Sequence, residues 1–184
     1  MSVLPPLTPR DRRIRWLSLA ALIVLLPVAI GVRSHGGVTN WRAEQDLDPL
    51  ITAQPGRTMS YGGADWRLEG LYQLRQDDKR SAVVLAEFEA RIKDPAVFAA
   101  GMCRIKLGDR GDKRWLPQFL MPYAVRKARP SVDERVTCGA ATIKPLKAGE
   151  TVKMAETFLT PAELTKVDLI VSAANVRPTY LVLR

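Results

Sequence analysis

The feature that most constrains this chain is the uncharged run "WLSLAALIVLLPVAIGV", Trp16–Val32, set between Arg15 and Arg33. Its roughly 17 residues would rise about 25 Å as a helix, the short end of what a bilayer core of about 30 Å requires. Trp16 stands where interfacial aromatics belong, and Arg10, Arg12, Arg13 and Arg15 precede the run against the single acid Asp11. That bias predicts residues 1–15 as a cytoplasmic basic tail, 16–32 as a transmembrane signal anchor and everything beyond it as exported. The expected location is the inner (cytoplasmic) membrane, crossed once, with an extracytoplasmic C-terminal domain. A basic start, Pro27 and the small pair Ala29 and Gly31 equally fit a signal peptide cleaved after Gly31, which would leave a secreted soluble domain. Both readings put residues 33–184 in one compartment.

That compartment decides how the two cysteines, Cys103 and Cys138, are read. In an oxidising space they should form one disulfide, and closing a loop of this length stabilises a fold by roughly 4 kcal/mol in the chain-entropy picture. The spacing fits neither a Cys-x-x-Cys redox motif nor a zinc site, so no metal is expected. The charge is +9 overall, and residues 55–184 alone hold 22 Lys or Arg against 15 Asp or Glu. A basic exported surface suits anionic envelope polymers or lipid headgroups, although without a block of like charges it also reads as ordinary solvation. Nucleic acid is not an expected partner.

Residues 33–55, "RSHGGVTNWRAEQDLDPLITAQP", are polar and broken by glycine and proline, and read as a stalk with room for a short helix from Asn40. Beyond them the period of the sequence becomes two. In "SAVVLAEFEARI" the even positions from Ala82 to Ile92 are apolar while Glu87, Glu89 and Arg91 face the other way, the pattern of a half-buried strand. "DWRLEGLYQL", "MCRIKLG", "SVDERVTCG", "TVKMAETFL", "KVDLIVS" and "PTYLVLR" read as further short strands, two of them turning a cysteine inward. Turn signals such as "GDRGD" and "KAGE" separate them, and only "DPAVFAAG" reads as helix. The fold class is mainly β: one antiparallel β-sandwich over residues 56–184 behind the N-terminal helix, with an open barrel as the alternative.

The order "GRTMSYGGADWRLEGL", the long central strand "SAVVLAEFEARI", then "LKAGETVKMAETFLTPAELTKVDLIVS" and "RPTYLVLR" resembles bacterial membrane-anchored or lipoprotein domains of the telokin-like, immunoglobulin-like type. The resemblance covers residues 56–184 and rests on strand order and a Gly-Glu-Thr turn. It implies an extracytoplasmic immunoglobulin-like domain without an assigned catalytic role, and it supplies no site residues. The lipid-attachment cysteine of such lipoproteins is missing, leaving the helix as the candidate anchor.

A search for catalytic chemistry mostly eliminates. The one histidine, His35, lies just past the apolar run, where a rigid catalytic shell is hard to build. "SHGG" is similar to the Ser-His-Gly motif of peptidoglycan transpeptidases but lacks their nucleophilic cysteine. Asp77 with Asp78 and Glu87 with Glu89 read as solvated pairs, "RGD" at Arg110–Asp112 as a turn, and no phosphate loop or calcium loop is present, so no cofactor is expected. One stretch combines aromatic and basic residues, "GDKRWLPQFLMPYAVRKARPS". Trp115, Tyr123, Arg126, Lys127 and Arg129 are its candidate binding residues, the three cations expected to be exposed together. The competing reading, favoured for Trp115 and Phe119, is a long crossover whose aromatics plug the end of the sandwich. These features together predict a noncatalytic envelope binding or scaffold protein whose partners are the cell membrane and another envelope protein, with an exported enzyme or enzyme subunit as the alternative.

Overall fold

The computed structural model describes residues 9–44, 50–76, 80–109, 111, 113–176 and 179–184, with side chains described at 13–31 and from 51 onward. The expectations for residues 1–8, Asp77, Asp78, Arg110, Asp112 and the Arg177–Pro178 junction, and for the side chain of His35, lie outside the described residues. The chain divides into two units, Met1–Leu47 and Asp48–Arg184.

The first unit is a single helix, α1 (Pro9–Glu44), with Pro27 inside it. Its stretch Arg13–Gly31 is long and apolar enough to cross a membrane, with a mean hydropathy of 2.1, and its side chains are exposed. Within the stretch read from sequence as a stalk, the backbone stays helical through Gly36 and Gly37. Each glycine costs a helix about 1 kcal/mol, which does not break a long helix already nucleated by its apolar half.

The second unit is two packed sheets. Strands β1 (Leu50–Thr52), β9 (Tyr180–Leu183), β8 (Val167–Ser172), β5 (Arg104–Asp109) and β6 (Arg114–Trp115) make one sheet in that order. Strands β2 (Met59–Tyr61), β3 (Ala64–Arg75), β4 (Ser81–Ile92) and β7 (Thr151–Pro161) make the other. Pairing is antiparallel except between β1 and β9, which run parallel. β1 belongs to the sheet, so Leu50–Thr52, read from sequence as the end of a stalk, pairs within the sandwich.

Alternation explains the core. Trp66, Val84, Phe88, Met154 and Phe158 from one sheet meet Ile105, Leu107, Leu169, Val171, Leu181 and Leu183 from the other. The Trp66 ring lies 6.3 Å from Phe88 and 5.9 Å from Phe98, and its indole N–H donates to the carbonyl of Tyr61 at 2.8 Å. Phe98 comes from α2 (Pro95–Ala100), the expected short helix, whose first amides donate to the side chain of Asp94. The tight β2–β3 turn needs Gly62 and Gly63, both at positive φ (57° and 82°), and a Cβ at Gly63 would stand 2.8 Å from the carbonyl of Asp94.

Two expectations fail between β6 and β7. "SVDERVTCG" is not a strand: Pro130–Glu134 forms a 3-10 turn and Cys138–Ile143 forms α4, with only Val136 bridging to Met154. Thr137 caps α4 through its hydroxyl, a local bond that competes with strand pairing. Nor is "DPAVFAAG" the one helix of this unit, since α3 (Tyr123–Ala128) forms between Pro122 and Pro130, proline being tolerated where a helix starts or has already ended.

Candidate functional site

The crossover from Leu116 to Ile143 wraps the four-stranded sheet. Gln118 donates its amide to the carbonyl of Thr157 at 2.7 Å, and Val136 exchanges hydrogen bonds with Lys153 and Ala155. These bonds cover the free edge of β7, which would otherwise offer unpaired groups to another chain. Between them Val125 and Val132 settle on Val83, Leu85 and Ala155, with Tyr72, Leu74 and Met121 packed around. The outward face of β4 is thereby buried, so this strand is covered on both sides rather than half-buried. Glu87 points outward as its alternation requires, yet it is only 2% exposed.

A charge cluster holds this second layer. The carboxylate of Glu87 accepts two hydrogen bonds from Arg129, from Nε at 3.0 Å and from Nη2 at 3.2 Å. Arg135 reaches Glu69 at 2.6 Å and Glu87 at 3.5 Å. The guanidinium of Arg129 also stacks on the Tyr72 ring at 3.7 Å. A bulge in β3 between Leu68 and Gly70 makes this possible. It reverses the alternation, so that Leu71 packs against the inner core while Tyr72 and Leu74 face the crossover. Gly70 leaves the space that the Tyr72 hydroxyl end occupies. Burial works against the charge on Arg129, but the bonded Glu87 carboxylate outweighs it and holds Arg129 above its ordinary value. Arg129 is thus a structural residue, and the expectation that it stands exposed with Arg126 and Lys127 is corrected.

The second tether is covalent. Cys103, immediately before β5, and Cys138, at the start of α4, form the disulfide, with Cα atoms 5.7 Å apart. Neither lies within a strand, although Cys138 is fully buried. Beside the bridge, the Cys138 amide donates to Glu156 at 2.9 Å. Glu156 sits on the inward row of β7 between Met154 and Phe158, and burial pushes its carboxyl above the usual range, only partly offset by that amide.

The first part of the crossover behaves differently. Leu116, Phe119, Leu120 and Tyr123 are all more than two-thirds exposed, and Phe119 is 97% exposed. Phe119 therefore does not plug the sandwich. Its neighbour Gln118 is pinned to β7, and the chain bends at Phe119–Leu120 between Pro117 and Pro122, which turns the ring away from both sheets. Trp115, on β6, does pack against the core. Arg126 and Lys127 follow the apolar ridge on α3, both exposed, Arg126 only loosely paired with Asp133 at 3.6 Å. A groove of about 350 Å³ runs beside the ridge, lined by Leu74, Arg75, Val83, Pro122 and Val125. The candidate site is thus Leu116, Phe119, Leu120, Tyr123, Arg126 and Lys127. Leu116 and Leu120 escape sequence reading because apolar residues in a proline-broken stretch are ordinarily taken as core. Among the described residues no three metal-ligating side chains converge.

No protein-family model matches the chain, and no curated protein matches it. Similar solved structures include a protein provisionally named a lipoprotein from Staphylococcus aureus, at 9% identity and a TM-score of 0.42, covering 70% of this chain and 88% of that one. The YjhA protein of Bacillus subtilis aligns at 10% identity and TM-score 0.43, over 71% of this chain and 99% of that one. An uncharacterised β-sandwich protein from Clostridium difficile aligns at 8% identity and TM-score 0.44, over 74% and 94%.

Proposed function

We propose that this chain is a single-pass, noncatalytic binding protein of a bacterial cell envelope. α1 anchors it in the inner membrane with the N-terminus in the cytoplasm, and an immunoglobulin-like, telokin-like sandwich works on the outer side. The observation that carries the binding role is the ridge: four large apolar side chains held in solvent by a crossover that is otherwise tightly fastened. A folded domain gains nothing from exposing such a group, so contiguous exposure of this kind marks an interaction surface. The arginine bias before the apolar stretch supports the orientation, and the bridged cysteines support an oxidising compartment. Another envelope protein is the partner class anticipated from topology alone.

The test is fractionation with added protease. The full chain is expected to stay with membranes after carbonate washing and to lose its sandwich only to protease applied from the outer side. Recovery of a soluble form beginning at Val32 would instead establish cleavage after Gly31.

A further inference from the structure

We propose that the ridge docks onto an anionic phospholipid surface, seating Phe119, Leu120 and Tyr123 at the boundary of headgroups and acyl chains while Arg126 and Lys127 meet lipid phosphates. This rests on the binding role proposed above and assigns the ridge a lipid surface in place of the envelope protein anticipated from topology. Two observations favour lipid over protein. Between Asp112 and Asp133 there is no carboxylate, while Lys113, Arg114, Arg126, Lys127 and Arg129 lie in that interval. Of these, Arg129 turns inward to Glu87, and Arg126 and Lys127 remain at the surface beside the apolar group. Apolar and cationic side chains side by side are the composition that interfacial segments use, Arg126 being held only by its loose, exposed pairing with Asp133, and each basic residue near an anionic surface adds about fivefold in affinity.

The second observation is shape. Phe119 and Leu120 occupy an exposed bend, with Gln118 fixed to β7 and prolines on either side, so insertion orders little chain that is not already ordered. A protein partner would more typically be met by a flat or concave patch ringed with paired polar groups.

The experiment uses the full chain with Phe119→Trp in lipid discs of phosphatidylcholine alone or with about one third phosphatidylglycerol, the acyl chains brominated near the headgroup. The signal of the added indole is the difference from the wild-type chain in the same discs. It is expected to be quenched by more than half in anionic discs, to recover in high salt, and to recover in Arg126→Glu/Lys127→Glu. Equal signal with and without bromine in anionic discs overturns the proposal. So does quenching indifferent to lipid charge, or a photocrosslinker at position 119 that captures a discrete protein in cells rather than lipid. If the anchor reading fails through cleavage, the soluble product is added to the same anionic lipid as vesicles. Quenching there upholds the ridge proposal, and its absence overturns it, so the two readings fail separately.

Discussion

The two halves of the crossover invert the usual assignment of residue types. Between Leu116 and Tyr123 four large apolar groups stand in water, whereas Arg129 and Arg135 are drawn inward onto Glu87, which with Arg135 is nearly inaccessible. Each inversion has a cost, and only the second has its compensation within the chain. Paired charges offset their desolvation with one another, while exposed leucine and phenylalanine gain nothing until something covers them. The fastened half therefore belongs to the fold, and the open half is the surface on which the proposed binding role rests.

That contrast can be broken in graded ways. Replacing both cysteines by serine should produce the largest loss, about 4 kcal/mol from reopening the loop, read as a shift in the denaturant midpoint of the oxidised and reduced chains. If the reduced chain unfolds at the same midpoint, the bridge is dispensable and the crossover is held by its charges alone. Glu87→Ala should cost about 3 kcal/mol, toward the low end for an orphaned buried pair because Arg129 keeps some access to water. A loss below about 0.5 kcal/mol would place Glu87 with ordinary surface residues and dissolve the distinction between the halves.

Glu156→Gln should act in the opposite direction. The folded carboxyl binds its proton more tightly than the unfolded one, so its contribution is fully present below the unfolded pKa and is lost as pH rises through the folded value. The glutamine variant, which keeps an acceptor for the Cys138 amide, should be more stable than the parent at neutral pH, with the gap closing on acidification. Unfolding midpoints of both chains across pH 4–8 check this, roughly the range in which buried carboxyls titrate; a gap that widens toward acid contradicts it. The smallest effect should come from the ridge. Phe119→Ala with Tyr123→Ala should leave stability within about 0.5 kcal/mol, as surface changes do. A loss of several kcal/mol would show that the ridge is packed in solution and that the two halves are alike.

Much of the fold was legible because strand alternation and an uncharged run are written locally. Leu107, Val152, Met154, Phe158 and Leu169 announce their face by period two, and the pairing of Cys103 with Cys138 follows from there being no other cysteine. Alternation reports where a side chain points, however, and not what lies beyond it. Glu87 points outward as read, and its burial depends on a crossover some forty residues later in the chain. Arg126, Lys127 and Arg129 are indistinguishable in sequence. Their fates separate because the end of α3 brings Arg129 over Tyr72 and Glu87, and that in turn depends on a bulge whose only local trace is Gly70. β1 was hidden for a related reason, since three residues carry no period and their partner lies at the far end of the domain.

That last pairing has a consequence for how the protein is made. β1 opens the sandwich, and its neighbour β9 closes it, with Leu50 beside Tyr180 and Thr52 beside Val182. During synthesis the first strand must therefore wait, unpaired on that side, while every other strand is completed. A chain that emerges N-terminus first cannot finish this sheet until nearly all of the domain is out. The register that locks the sandwich at this edge is therefore among the last contacts available to the growing chain.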